Sequence, residues 1–167
     1  MGIYPGGNIV KLTPSDLSAT AYTEGDIIFA KNEIKNAVPS RGGCSLLRSV
    51  SVFAEGAIAE DNLAIMFFDN STALGAAAND AGTDITADEF RTASCIGMLT
   101  MDGDSSSFAV GNGRLYGMND SRQSSPLLLQ ASVGETSIWV AMVSHAGTLN
   151  LTDTDSITCT FGFEYLG

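Results

Sequence analysis

The chain has 167 residues, long enough for one domain with a sizeable core. With 44% hydrophobic and only 16% charged residues, it reads as a folded protein surfaced by Ser, Thr, Asn and Gly rather than by salt-bridged helices. A net charge of −11 with eight scattered bases offers no phosphate-binding patch, and no apolar run approaches the roughly 18 residues of a membrane span, so neither nucleic acid nor membrane is an expected partner.

The first eight residues, "MGIYPGGN", place Gly2, Gly6 and Gly7 around Ile3-Tyr4-Pro5 and read as a flexible arm. They lack a basic stretch followed by an apolar one, so no signal peptide is expected. Residues 9–167 read as a single domain. Glycine and small polar residues punctuate it about every ten residues, and the segments between them read as strands. The first is "NIVKLT" (8–13), then "GDIIFA" (25–30), "NEIKNAV" (32–38), "SLLRSVSVFA" (45–54) and "NLAIMFFD" (62–69). After these, "STALGAAANDAGTD" (71–84) is a surface loop of small and turn-forming residues. "TADEFRTAS" (86–94) is the one predicted helix, with Thr86 and Glu89 spaced as a capping box, and it would plug one end of the domain.

Beyond the helix come "CIGMLTM" (95–101), "SSFAVG" (106–111), "GRLYGM" (113–118), "PLLLQAS" (126–132), "TSIWVAMVS" (136–144) and "SITCTFGFEYL" (156–166). In the last, Ile157, Cys159, Phe161, Phe163 and Tyr165 alternate with polar residues, which marks a half-buried antiparallel strand. So many short strands predict an all-β fold, a sandwich or barrel. Two strands break the alternation. "NLAIMFF" and "IWVAMV" are apolar on both faces, so their outer face is covered either by a loop of the same chain or by another subunit. Met66, Phe68 and Trp139 are therefore candidates for partner contact.

Chemistry-bearing residues are few. Between Ala59 and Asp104, nine acids (Glu60, Asp61, Asp69, Asp80, Asp84, Asp88, Glu89, Asp102 and Asp104) face one base, Arg91, which reads as a solubilising surface. Cys44, Cys95 and Cys159 form no CxxC pair and read as free, mostly buried thiols of a reducing compartment. His145 is the only histidine, and no nucleophile elbow accompanies it. Asp102 and Asp104 in "DGDSSS" have the glycine of a calcium loop misplaced and no glutamate at the twelfth position, so they read as a tight hairpin between "MLTM" and "SFAV". "GNGRLYG" lies between two strands, so its GxG is a hairpin turn rather than a dinucleotide fingerprint. No catalytic residue, metal site or cofactor is expected. Trp139, Tyr4, Tyr116 and Tyr165 could stack on a sugar, which makes a carbohydrate-binding module the rival reading.

A set of motifs runs along most of the chain. It comprises Thr13-Pro14, Asp16, Ala21-Tyr22, Gly25-Asp26, Ile34, Asn36-Ala37-Val38, Gly42-Gly43, Leu47, Ser49-Val50, Val52, Phe67-Phe68-Asp69, Leu74-Gly75 and Ile96-Gly97. In these elements the chain resembles small virion structural proteins of tailed bacteriophages. The resemblance implies a jelly-roll-like β-sandwich that decorates or cements a phage head, or less often belongs to a fibre or tail. It implies the major capsid protein as partner and a place on the capsid surface after synthesis in the host cytoplasm. Docking would use buried apolar area and strand pairing, with Ile3 and Tyr4 anchoring the arm. The doubly apolar strands suggest self-association as well, as a trimer at a symmetry axis.

Overall fold

The computed structural model describes residues 6–18, 20–56, 61–118, 126–151 and 156–166. Its strands are β1 (Gly7–Leu12), β2 (Ile27–Ile34), β3 (Cys44–Glu55), β4 (Asn62–Phe68), β5 (Cys95–Met101), β6 (Ser107–Val110), β7 (Gly113–Gly117), β8 (Leu127–Gln130), β9 (Ile138–Ala146) and β10 (Ile157–Leu166). Helix α1 (Ala87–Ala93) and a 3-10 turn at Gly82–Asp84 lie between β4 and β5. The segments at 25–30 and 32–38, read as two strands, are one. Lys31, left between them, is a strand residue with partners of its own.

The strands form two sheets. The first runs β1-β10-β3 and then forks, because β3 is twelve residues long. Its Cys44–Leu47 end pairs β8, while its Ser51–Glu55 end pairs β7, which is followed outward by β6. The second sheet runs β2-β9-β4-β5. Leaving aside the β6–β7 hairpin, the order is β1-β10-β3-β8 facing β2-β9-β4-β5, and the described pairings are antiparallel. Two nested Greek keys with this order make a jelly roll, so the fold is the expected all-β sandwich of jelly-roll type.

The main core lies between the sheets. Val50, Val52, Ile157, Cys159, Phe161 and Phe163 meet Leu63, Ile65, Phe67, Val140 and Met142. Phe67 and Phe161 touch edge to face with centroids 6.0 Å apart. All three cysteines are free thiols, and burial pushes Cys159 up to about 12. A thiol reagent should therefore label Cys44 and Cys95 in the native protein and reach Cys159 only on unfolding; native labelling of all three would contradict this packing.

Candidate interaction surfaces

Strand alternation gives β4 two functions. Leu63, Ile65 and Phe67 enter the main core, while Ala64, Met66 and Phe68 point to the outer face of the second sheet. They do not meet solvent there. Residues 69–94 double back across the sheet as a strap, and Met66, Phe68 and Ala141 pack with Leu74 and Ala93 in a second small core. Ile85, Cys95, Trp139 and Val143 are packed against that cluster. The chain itself is thus the cover for the doubly apolar strands. Met66 and Phe68, read as candidate contact residues, are buried under the strap, and Trp139 is half-buried at its margin. Ile3 and Tyr4 lie outside the described residues, whereas Gly7 and Asn8, assigned to the arm, already pair with β10.

The strap is held at three places. Thr86 and Glu89 form the expected capping box, with the Thr86 amide donating to Glu89 Oε2 at 2.8 Å and the Glu89 amide to Thr86 Oγ1 at 3.2 Å. The helix does not plug an end of the sandwich. It lies on the sheet face, where Phe90 meets Phe68 edge to face at 6.3 Å. The loop before it runs along β2, since the Ile27 amide donates to Asp80 O, the Asn79 amide to Ile27 O and the Gly82 amide to Gly25 O. This pairing covers what would be a free strand edge. Lastly, Lys31 reaches out of β2 to donate to Ala93 O (2.7 Å) and Asn70 O (3.1 Å), with its Nζ 4.1 Å from the centre of the Phe68 ring. Burial brings the Lys31 ammonium down to about 8, against the opposing pull of Asp69 and Cys95.

A groove of about 450 Å³ remains between strap and sheet, lined by Met66, Gly82, Ile85, Thr86, Ala87, Phe90 and Val143. A shallower depression of about 700 Å³ lies over the small residues Ala73 and Gly75 to Ala78, with Asp16 and Asp80 at its sides. Asp16 is already occupied, accepting from the Ala30 amide and Asn32 Nδ2 at 2.9 Å each. His145 is exposed on β9 and shares only a small polar niche with Asn62, Thr100 and Asp102. The Asp102–Asp104 stretch is a turn, closed by the Asp104 amide on Asp102 Oδ1 at 2.9 Å, but not the expected hairpin, because it carries the chain from β5 in the second sheet to β6 in the first. Among the described residues no three His, Cys, Asp or Glu side chains are placed to hold a metal ion, and no helix is long and apolar enough to cross a membrane.

One buried polar cluster went unread in the sequence. Asp61, just before β4, accepts from the Thr148 amide at 2.9 Å. Arg114 on β7 is buried and donates to Ser107 Oγ at 2.9 Å and to Gly103 O at 3.3 Å. Burial raises the Asp61 carboxyl above its ordinary range, opposed by the Thr148 amide and the Arg114 charge. Burial first, and Asp61 second, push Tyr116 up to about 12. The cluster ties the entry to β4, the β5–β6 turn and the loop after β9 at one end of the sandwich. Strand alternation was the available signal, because Arg114 and Tyr116 share a face of "GRLYG".

No protein-family model matches the sequence, and no curated protein matches it. Solved structures with some similarity come from virus particles. Desmodium yellow mottle tymovirus is 13% identical with a TM-score of 0.29, covering 98% of this chain and 82% of that one. The infectious bursal disease virus VP2 subviral particle is 10% identical with a TM-score of 0.37, and this chain spans 38% of its length while 96% of this chain is covered. The heated Israeli acute paralysis virus particle is 7% identical with a TM-score of 0.31, over 96% of this chain and 70% of that chain. Scores this low transfer neither fold nor function, and the jelly roll stands on the strand order alone.

Proposed function

We infer that the chain is a non-enzymatic structural subunit of a virus particle, of the kind that decorates or cements a tailed-phage head by binding neighbouring major capsid subunits. The observation that carries this reading is what its virion-protein motifs do in the fold. Asp16 pins the connection after β1 onto β2. Gly25, at φ +90°, turns the chain into β2 while its amide donates to Ser144 O at 2.7 Å. Phe67 fills the main core and Phe68 the second one. Gly75, at φ +82°, takes the left-handed backbone that favours glycine, and a Cβ there would push the Glu89 carboxylate aside. These residues build a rigid block and leave function to its surface, as a packing subunit requires.

Mass spectrometry of purified particles tests the reading. The chain should appear as a stoichiometric virion component, and its absence would remove the assignment. A glycan array with clear hits would favour the carbohydrate-binding alternative. The arm is tested separately. Since β1 starts at Gly7, the clean truncation removes residues 1–5. Occupancy on particles should fall with no change in melting temperature, and unchanged occupancy would take Ile3 and Tyr4 out of the docking mechanism.

A further inference from the structure

The outer face of the first sheet differs from the rest of the molecule. Cross-strand register places Phe53, Leu115 and Phe108 in one outward row, with Val110 beside it. Leu46 and Leu128 form a second row at the forked end, where Leu166 is also outward. Ile9 faces out from the β1 edge, opposite Gly162. Five of the eight large apolar side chains exposed among the described residues belong here, with Ile9 74%, Phe108 60% and Leu128 55% exposed. Scattered exposed apolar residues need no explanation, but rows aligned across paired strands make a surface.

Charge decides what can cover it. Among the described residues this face carries two bases, Lys11 and Arg48, and two acids, Glu55 and Glu164, with Arg48 and Glu164 already paired across the sheet. It is neutral in a chain of net charge −11. The strap on the opposite side bears Asp69, Asp80, Asp84, Asp88 and Glu89 against Arg91 alone. A basic partner would be drawn to the strap. A second copy, itself strongly acidic, is repelled there and meets no net repulsion on the neutral face. The edge next to the apolar row is β6, Ser107-Phe108-Ala109-Val110, which carries no lysine, proline or other charge to block pairing. Four to five strands about 4.8 Å apart and about 30 Å long present roughly 650 Å² per copy, close to the ~800 Å² per partner of a standard interface.

We propose that the outer face of the β1-β10-β3-β7-β6 sheet, centred on Phe53, Leu115 and Phe108 and reaching Leu128, is the interface with a second copy of this chain. The docking is isologous, because the same neutral, apolar patch serves both partners. It is favoured by salt, which screens the repulsion between the two acidic bodies. Its biological purpose rests on the reading as an assembly subunit, but the contact does not: absence from virions would remove that reading and leave the dimer standing.

Light scattering on size-exclusion fractions, over a range of protein and NaCl concentrations, reads the result. The mass should rise from 17.4 kDa towards twice that value with concentration, and more readily in high salt. Phe108→Lys and Leu128→Lys, at exposed positions that the fold does not need, should each weaken association about tenfold or more while keeping the melting temperature. Met98→Lys, on the exposed face of the other sheet, should leave association unchanged. A monomer under every condition overturns the proposal. So does a dimer that survives both substitutions, or one that Met98→Lys breaks equally. Particle occupancy that depends on Phe108 in a chain that stays monomeric in solution would assign the face to a capsid subunit instead.

Discussion

Phe68→Ala should cost about 3–5 kcal/mol and loosen the strap before the sandwich. The ring is fully buried, although it points away from the main core. It holds Phe90 of the helix and the Lys31 ammonium together, so its loss leaves a cavity under residues 69–94 and removes the platform on which Lys31 reaches Ala93 O. Limited proteolysis in native buffer should then cut within the strap while the remaining fragments stay associated. Phe67→Ala gives the comparison, because the neighbouring ring faces the main core against Phe161. It should cost about as much by the same cavity argument, yet give no selective strap cleavage. Equal protease resistance in Phe68→Ala and the parent would show that the strap does not depend on this ring.

Asp61→Ala should cost about 1–3 kcal/mol, because it removes the carboxylate that accepts from the Thr148 amide at one end of the sandwich. Gly147, at φ +92°, permits the approach, because a Cβ there would strike Asp61 Oδ1. The same carboxylate gives a signed pH dependence. Its folded-state pKa is raised, so the native protein keeps this proton to higher pH than the unfolded chain does. The stabilisation from this group is therefore fully present at low pH and is lost as pH rises out of the ordinary carboxylate range through the raised value. Asp61→Asn keeps an acceptor and cannot titrate. Melting curves across the acid range should show the parent losing ground to Asp61→Asn as pH rises; a gap moving the other way would mean that Arg114 outweighs burial.

Most strands were legible because a half-buried strand writes its alternation into the chain, as in Ile157 to Tyr165. The helix was legible through its capping box. What the sequence hid was which surface each element meets. A two-turn amphipathic helix looks the same whether it closes an end or lies on a face, so the location of α1 had to come from Phe90 on Phe68. Strand β2 was read as two segments parted at Lys31. In the fold, Lys31 clasps the strap, Asn32 bonds Asp16, and Glu33 accepts from Ser137 Oγ at 2.6 Å. The apolar rows of the first sheet were invisible for a different reason. Phe53, Leu115 and Phe108 are far apart in the chain, and only register makes them neighbours.

The strap's place in the chain also matters during synthesis. Strand β4 waits for β9, which begins at Ile138, before its ladder to that side can form, and β10, which joins β1 to β3, follows later still. Such long-range pairing is slow, and an apolar strand awaiting it is an aggregation hazard. The strap follows β4 directly, so Leu74 and Ala93 emerge within 25 residues of Phe68. It can shield the outer face of β4 in the nascent chain before β9 arrives.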